Sequence, residues 1–173
     1  MESVIYLDNA ATSYPKPEPV YVFMDQFFRR AGVNPGRSGY DMCIEAGQLV
    51  EDTRRAAAAL FGGTDAHRLV FGLNSTDALN LAIFGLLQRG DHAITTTLEH
   101  NSVLRPLHHA SRDLGVEVEH VPFDARGFVD PDAIRARIKR NTRLVAINHA
   151  SNVIGTVQPI AEIGRVCQQH GVK

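Results

Sequence analysis

Three short polar clusters hold the side chains best suited to chemistry: Asn74-Ser75-Thr76, Glu99-His100-Asn101-Ser102 and His149-Ala150-Ser151-Asn152. Hydroxyls beside the unpaired N–H groups at the start of a helix make an anion site, most naturally for a phosphate. An ordinary capped helix is the plainer reading of Asn74-Ser75-Thr76. An imidazole and an amide on the same edge would suit a phosphorylated aromatic ligand, although a lone His or Asn after a strand is more often a loop hydrogen-bonder. Arg37 stands in the turn Asn34-Pro35-Gly36-Arg37-Ser38-Gly39, where its planar fork could clamp a carboxylate or phosphate, or simply face solvent.

The elements around these clusters alternate. An apolar run at 69–71 reads as a strand, and Leu79, Ala82, Ile83 and Leu86 fall at helical spacing behind it, with Gly90 as the stop. Strands follow at 92–96, 116–121 and 144–148, with helices at 102–114, 131–138 and 160–170. Asp130 before Pro131 is a cap and first-turn pair. Upstream, Val4-Ile5-Tyr6-Leu7 is strand-like. Val20, Phe23, Met24, Phe27 and Phe28 trace one face of a helix closed by Gly32, and 41–60 reads as a long helix. Strands separated by helices predict an α/β fold: a mostly parallel sheet with helices on both faces. Ligands of such sheets sit beyond the carboxyl ends of the strands, where the three clusters fall.

Composition narrows the function. A hydrophobic fraction of 44% is that of a globular protein, and a net charge of -1 without a basic run offers no footprint for nucleic acid or an acidic membrane. No apolar run is long enough to span a bilayer and no signal peptide is legible, so the expectation is a cytoplasmic protein. Cys43 and Cys167 are unclustered and read as packing residues. Neither G-x-G-x-x-G nor a Gly-Lys-Ser/Thr loop is present. His108-His109 adjoin on a helix without a carboxylate-rich partner motif, so no metal site is expected.

Together, Tyr6-Leu7-Asp8-Asn9-Ala10-Ala11-Thr12, the Arg37 turn, Asn74-Ser75-Thr76-Asp77-Ala78-Leu79-Asn80, Glu99-His100-Asn101-Ser102 and Ser151-Asn152-Val153-Ile154-Gly155-Thr156 resemble the class V aminotransferase group, and within it most nearly the cysteine desulfurases. The resemblance implies the large domain of fold type I and the cofactor pyridoxal 5'-phosphate (PLP). Carried over, it puts Ser75 and Thr76 on the PLP phosphate and His100, as a catalytic residue, against the pyridine ring. Asn152 falls on the phenolic oxygen of PLP and near the substrate carboxylate. Arg37 and Asn9 match positions near the active-site entrance, Arg37 on the substrate side.

The family's pyridinium Asp, Schiff-base Lys, substrate Arg and sulfur-accepting Cys have no counterpart here, since Lys139 and Lys173 match no motif and neither cysteine stands at the sulfur-accepting position. The resemblance therefore implies that residues 1–173 are the N-terminal segment and first part of the large domain, without its remainder or the small domain, and inert alone. The complete protein would be a homodimer that removes sulfur from L-cysteine, with a sulfur-acceptor protein as a further partner. Alternatives are another class V enzyme, such as an aminotransferase or a selenocysteine or kynurenine lyase, or a non-catalytic dimerisation partner. In that fold the 69–71 strand stands apart from the other three.

Overall fold

The computed structural model describes residues 4–173, which divide into two compact units, 4–71 and 72–173. The first holds α1 (Glu18–Ala31) and α2 (Asp41–Leu60), followed by a short 3-10 turn at Ala66–Arg68. An ion pair between Arg30 and Glu45 links the two helices. Arg54 donates to the Leu69 carbonyl and stacks over Phe71 with its guanidinium 5.0 Å from the ring centre.

The second unit runs α3 (Ser75–Leu86), β1 (His92–Thr96), α4 (Asn101–Leu114), β2 (Glu117–Val121), α5 (Pro131–Arg135), β3 (Thr142–Val145) and α6 (Ile160–His170). Its three strands form one parallel sheet in the order β2-β1-β3, with Ile94 opposite Glu119 on one side and Val145 on the other. Every residue of β1 is buried, as a central strand covered on both faces must be. Because side chains alternate, Ala93 joins Ile83, Val103, Leu107 and Ala110 beneath α3 and α4. Ile94 joins Ile134, Ile163 and Cys167 beneath α5 and α6. The sheet is thus sandwiched, as the alternation predicted.

Most expected elements form, with corrections at some ends. Residues 69–71 stay unpaired rather than forming a strand, and so do residues 4–7. A strand is defined by its hydrogen-bonded neighbour, and apolar composition alone does not supply one. Helix α3 ends at Leu86, before Gly90, because Leu87 turns extended; Gly90 instead takes a positive φ in the turn into β1. Helix α5 is one turn shorter on its C-terminal side than the 131–138 pattern suggests. Strand β3 spans Thr142–Val145 rather than 144–148, and the last bond to β1 comes from the Ala146 amide just past it to the Ile94 carbonyl. The rings of the adjacent His108 and His109 meet edge to face, centres 6.0 Å apart.

Candidate functional site

All three polar clusters lie beyond the carboxyl ends of β1 and β3 or at the start of α3. The Asn74 side chain caps α3 by accepting from the Asp77 amide at 2.9 Å, and Asp77 accepts in turn from the Leu73 amide at 3.5 Å. With those two donors engaged, the amides of Ser75 and Thr76 remain as first-turn donors without helical acceptors, beside two exposed hydroxyls. This answers which of the three residues is the cap: Asn74, leaving Ser75 and Thr76 available to a ligand.

His100 caps α4. Its Nδ1 accepts from the Ser102 amide at 3.1 Å and lies 2.8 Å from Ser102 Oγ, so a neutral ring carries its proton on Nε2. The imidazole is fixed along one edge while the residue stays exposed. Thr76, Asn80, His100, Asn101, Ser102, Arg105, Pro106 and His109 line one cleft of about 280 Å³. Thr76 and His100, chosen from different clusters, therefore line one cleft. Ser75 is adjacent in sequence but does not line this cleft, and neither does Asn152.

Asn152 is exposed near the tip of a loop joined at its base by an antiparallel bridge between Ala150 and Val157. Ser151 holds the tip: its Oγ accepts from the amides of Val153 and Ile154, both at 3.2 Å. Buried Gln158 docks the loop by donating to the Gly127 carbonyl at 2.8 Å and accepting from the Val129 amide at 2.9 Å. Gly127 has φ +85°, and a Cβ there would lie 2.6 Å from Ile154 Cδ1. A side chain at 127 would displace the Asn152 loop.

Buried Glu99 adjoins His100. Its Oε1 accepts from Thr96 Oγ1 and from the Asn148 amide, each at 2.8 Å. Burial pushes the Glu99 carboxyl above its ordinary value, opposed by those two hydrogen bonds. Sequence reasoning assigned no role to Glu99, Arg105, Gln158 or Gly127. For Glu99 the available signal was an acid directly between an apolar strand and a helix cap.

Arg37 is exposed in its turn, beside Gly36 at φ +81°, and makes no ion pair among the described residues. Asn9 ties its own loop, donating to the Tyr6 carbonyl at 3.4 Å and accepting from the Tyr14 amide at 3.2 Å. Both belong to the first unit. Cys43 and Cys167 are buried free thiols, and burial raises the Cys167 pKa, which suits packing and not nucleophilic attack. No described helix is long and apolar enough to cross a membrane.

The residues present fit PLP at the α3 end: two amides and two hydroxyls for a phosphate, with an imidazole beside Thr76 in the same cleft. A probable cysteine desulfurase of Halobacterium salinarum is 37% identical over 98% of this chain and 42% of its own length. Cysteine desulfurase IscS of Dictyoglomus turgidum is 34% identical over 99% of this chain and 44% of its own. Among solved structures, the apo cysteine desulfurase from Thermococcus onnurineus NA1 matches with a TM-score of 0.90 at 32% identity, covering 98% of this chain and 42% of that one. SspA in complex with cysteine matches at 0.86 and 29%, covering 96% and 48%. The chain thus spans less than half the length of these relatives and carries the fold of the matching part. The model of the aminotransferase class V family matches residues 5–173, and the chain belongs to that family.

Proposed function

We propose that the chain is the N-terminal part of a PLP-dependent cysteine desulfurase, a cytoplasmic homodimeric enzyme of sulfur metabolism that passes sulfur to an acceptor protein. The observation that carries this reading is the agreement between the relatives' names and the cleft shared by Thr76 and His100. In the overall reaction the C–S bond of L-cysteine breaks and an S–S bond forms to an enzyme thiol, leaving a persulfide and alanine. Bound beyond the carboxyl ends of the strands, PLP would supply an electron sink for the amino acid's carbon centres. Ser75 and Thr76 hold the phosphate with charge-assisted hydrogen bonds. His100 stacks against the ring, with Ser102 fixing the plane of the imidazole. Asn152 orients the phenolic oxygen and the substrate carboxylate. The thiol that accepts sulfur is neither Cys43 nor Cys167, both of which are buried.

The test is expression of the complete reading frame that contains this sequence, with L-cysteine, PLP and a thiol reductant. Alanine and sulfide should form, and the protein should carry the absorbance of bound PLP. His100→Ala should impair turnover more than cofactor retention, and Asn152→Ala should weaken or shift the absorbance. Ser75→Ala with Thr76→Ala should cost about 1–3 kcal/mol of cofactor affinity. A PLP-loaded protein that releases no alanine would move the assignment to another class V activity. Wild-type spectra and activity in all of these variants would overturn the site.

A further inference from the structure

The β1–β3 ladder ends at the bond from the Ala146 amide to the Ile94 carbonyl, with Thr95 Oγ1 donating to the Ala146 carbonyl at 3.0 Å. Beyond that rung, among the described residues, no backbone hydrogen bond joins the chain leaving β1 to the chain leaving β3. A side chain joins them instead. Glu99 Oε1 takes the Asn148 amide from one side and the Thr96 hydroxyl from the other. Thr96 Oγ1 in turn accepts from the Leu98 amide at 3.1 Å, which shapes the turn that delivers Glu99. His100 is the next residue after Glu99, and Asn152 follows Asn148 by four. Between Asn148 and Asn152 the His149 carbonyl and the Ser151 amide are already committed, to Gln158 and Thr156. The one carboxylate therefore registers two loops that each carry one residue of the proposed cofactor site.

We propose that Glu99 is a positioning residue that sets where Asn152 stands relative to His100 by accepting the Asn148 amide. It touches neither substrate nor cofactor, and the proposal rests on the function proposed above. The geometry asks for an acceptor of glutamate length. Glutamine keeps a carbonyl oxygen at the same reach. Aspartate is one methylene shorter and cannot hold both donors without moving a loop, and alanine holds neither.

The experiment uses the complete protein and its Glu99→Gln, Glu99→Asp and Glu99→Ala variants. Three quantities are measured: amide hydrogen exchange from 146 to 152 without cofactor, PLP affinity and absorbance, and kcat against KM for L-cysteine. Glu99→Gln should stay within about threefold of wild type in all three. Glu99→Asp and Glu99→Ala should speed exchange at Asn148 by about tenfold or more, as expected for a lost buried hydrogen bond. In them the faster exchange should reach Asn152, PLP should bind about tenfold more weakly with a displaced band, and kcat should fall more than KM changes. Faster exchange confined to Asn148, with affinity and band unchanged, would make Glu99 a structural cap and overturn the proposal, and so would Glu99→Gln behaving like Glu99→Ala. Should Glu99→Ala fail to fold, Glu99→Asp against Glu99→Gln decides the matter. If the wild type binds no PLP, the proposed function falls by itself, and the spread of exchange to Asn152 alone decides the role of Glu99.

Discussion

His92 opens β1 and Glu99 lies just past its close, and both side chains are withdrawn from solvent, but the two ends of the strand use them differently. At the amino end, Thr142 Oγ1 accepts from the Lys139 amide and is hydrogen-bonded to His92 Nδ1 at 2.7 Å. His92 Nε2 makes no hydrogen bond among the described residues and lies 3.5 Å from Glu119 Oε1. Lys139 bridges Glu117 and Glu119, and Arg137 approaches Glu119. His92, Thr142, Glu117 and Glu119 sit on strands at positions set by the ladder, and Arg137 and Lys139 lie in the turn entering β3. At the carboxyl end, Glu99 directs its acceptor to an amide in a loop, and exposed His100 and Asn152 follow on either side. A buried polar group held by register stabilises a fold, whereas one that holds two loops together can shape a site.

The largest effect should come from removing what both ends share. Ile94 is fully buried at the middle of β1 and packs against Val121, Ile134 and Ile163. Ile94→Ala in the complete protein should cost about 2–5 kcal/mol by chemical denaturation. Amide protection should fall at both Thr142 and Asn148. Loss at one end alone would show that the ends do not depend on a common strand.

A smaller effect separates the ends by pH. Glu99 titrates above its ordinary value in the folded protein, so between the unfolded and folded values the native state binds more protons. Its contribution therefore falls as pH rises from the ordinary carboxylate range through the raised value, and is level above it. Glu99→Gln should remove this component from a plot of stability against pH between about 4 and 8. An unchanged profile would mean that burial does not act on the carboxyl as described.

How much of this was legible in the sequence follows from what each feature depends on. Helix α2 and strand β1 match their expected limits because composition and periodicity act within each segment. Residues 69–71 have the composition of a strand, but pairing is a property of the neighbour and not of Val70 and Phe71. The polar clusters were visible because small polar residues after apolar runs are local patterns. The links between clusters were not. Glu99 and Asn148 are 49 residues apart, and Gln158 reaches Gly127 across 31, so no window of sequence contains either bond. Arg105 was hidden differently: it faces the cleft from α4, and a single arginine on a helix gives no periodic signal.

The smallest predicted effect concerns His92, and it tests whether the amino end is indifferent to the site. Burial, then the charge of Lys139, lower the His92 pKa, while Glu119 and Glu117 oppose them. A histidine whose folded value lies below its unfolded one keeps its full contribution above about pH 6.5 and loses it as pH falls toward the folded value, because the unfolded chain takes up the proton first. His92→Asn retains a polar atom near Thr142 but does not titrate. Its stability deficit against wild type should therefore be widest above about pH 7 and narrow as pH falls toward 5. Across that range the variant should bind PLP as the wild type does, since the His92 network lies at the opposite end of β1 from the loops bearing His100 and Asn152. A change in PLP affinity or band on His92→Asn would mean that the two ends communicate through β1, and the division between a stabilising end and a site-forming end would fail.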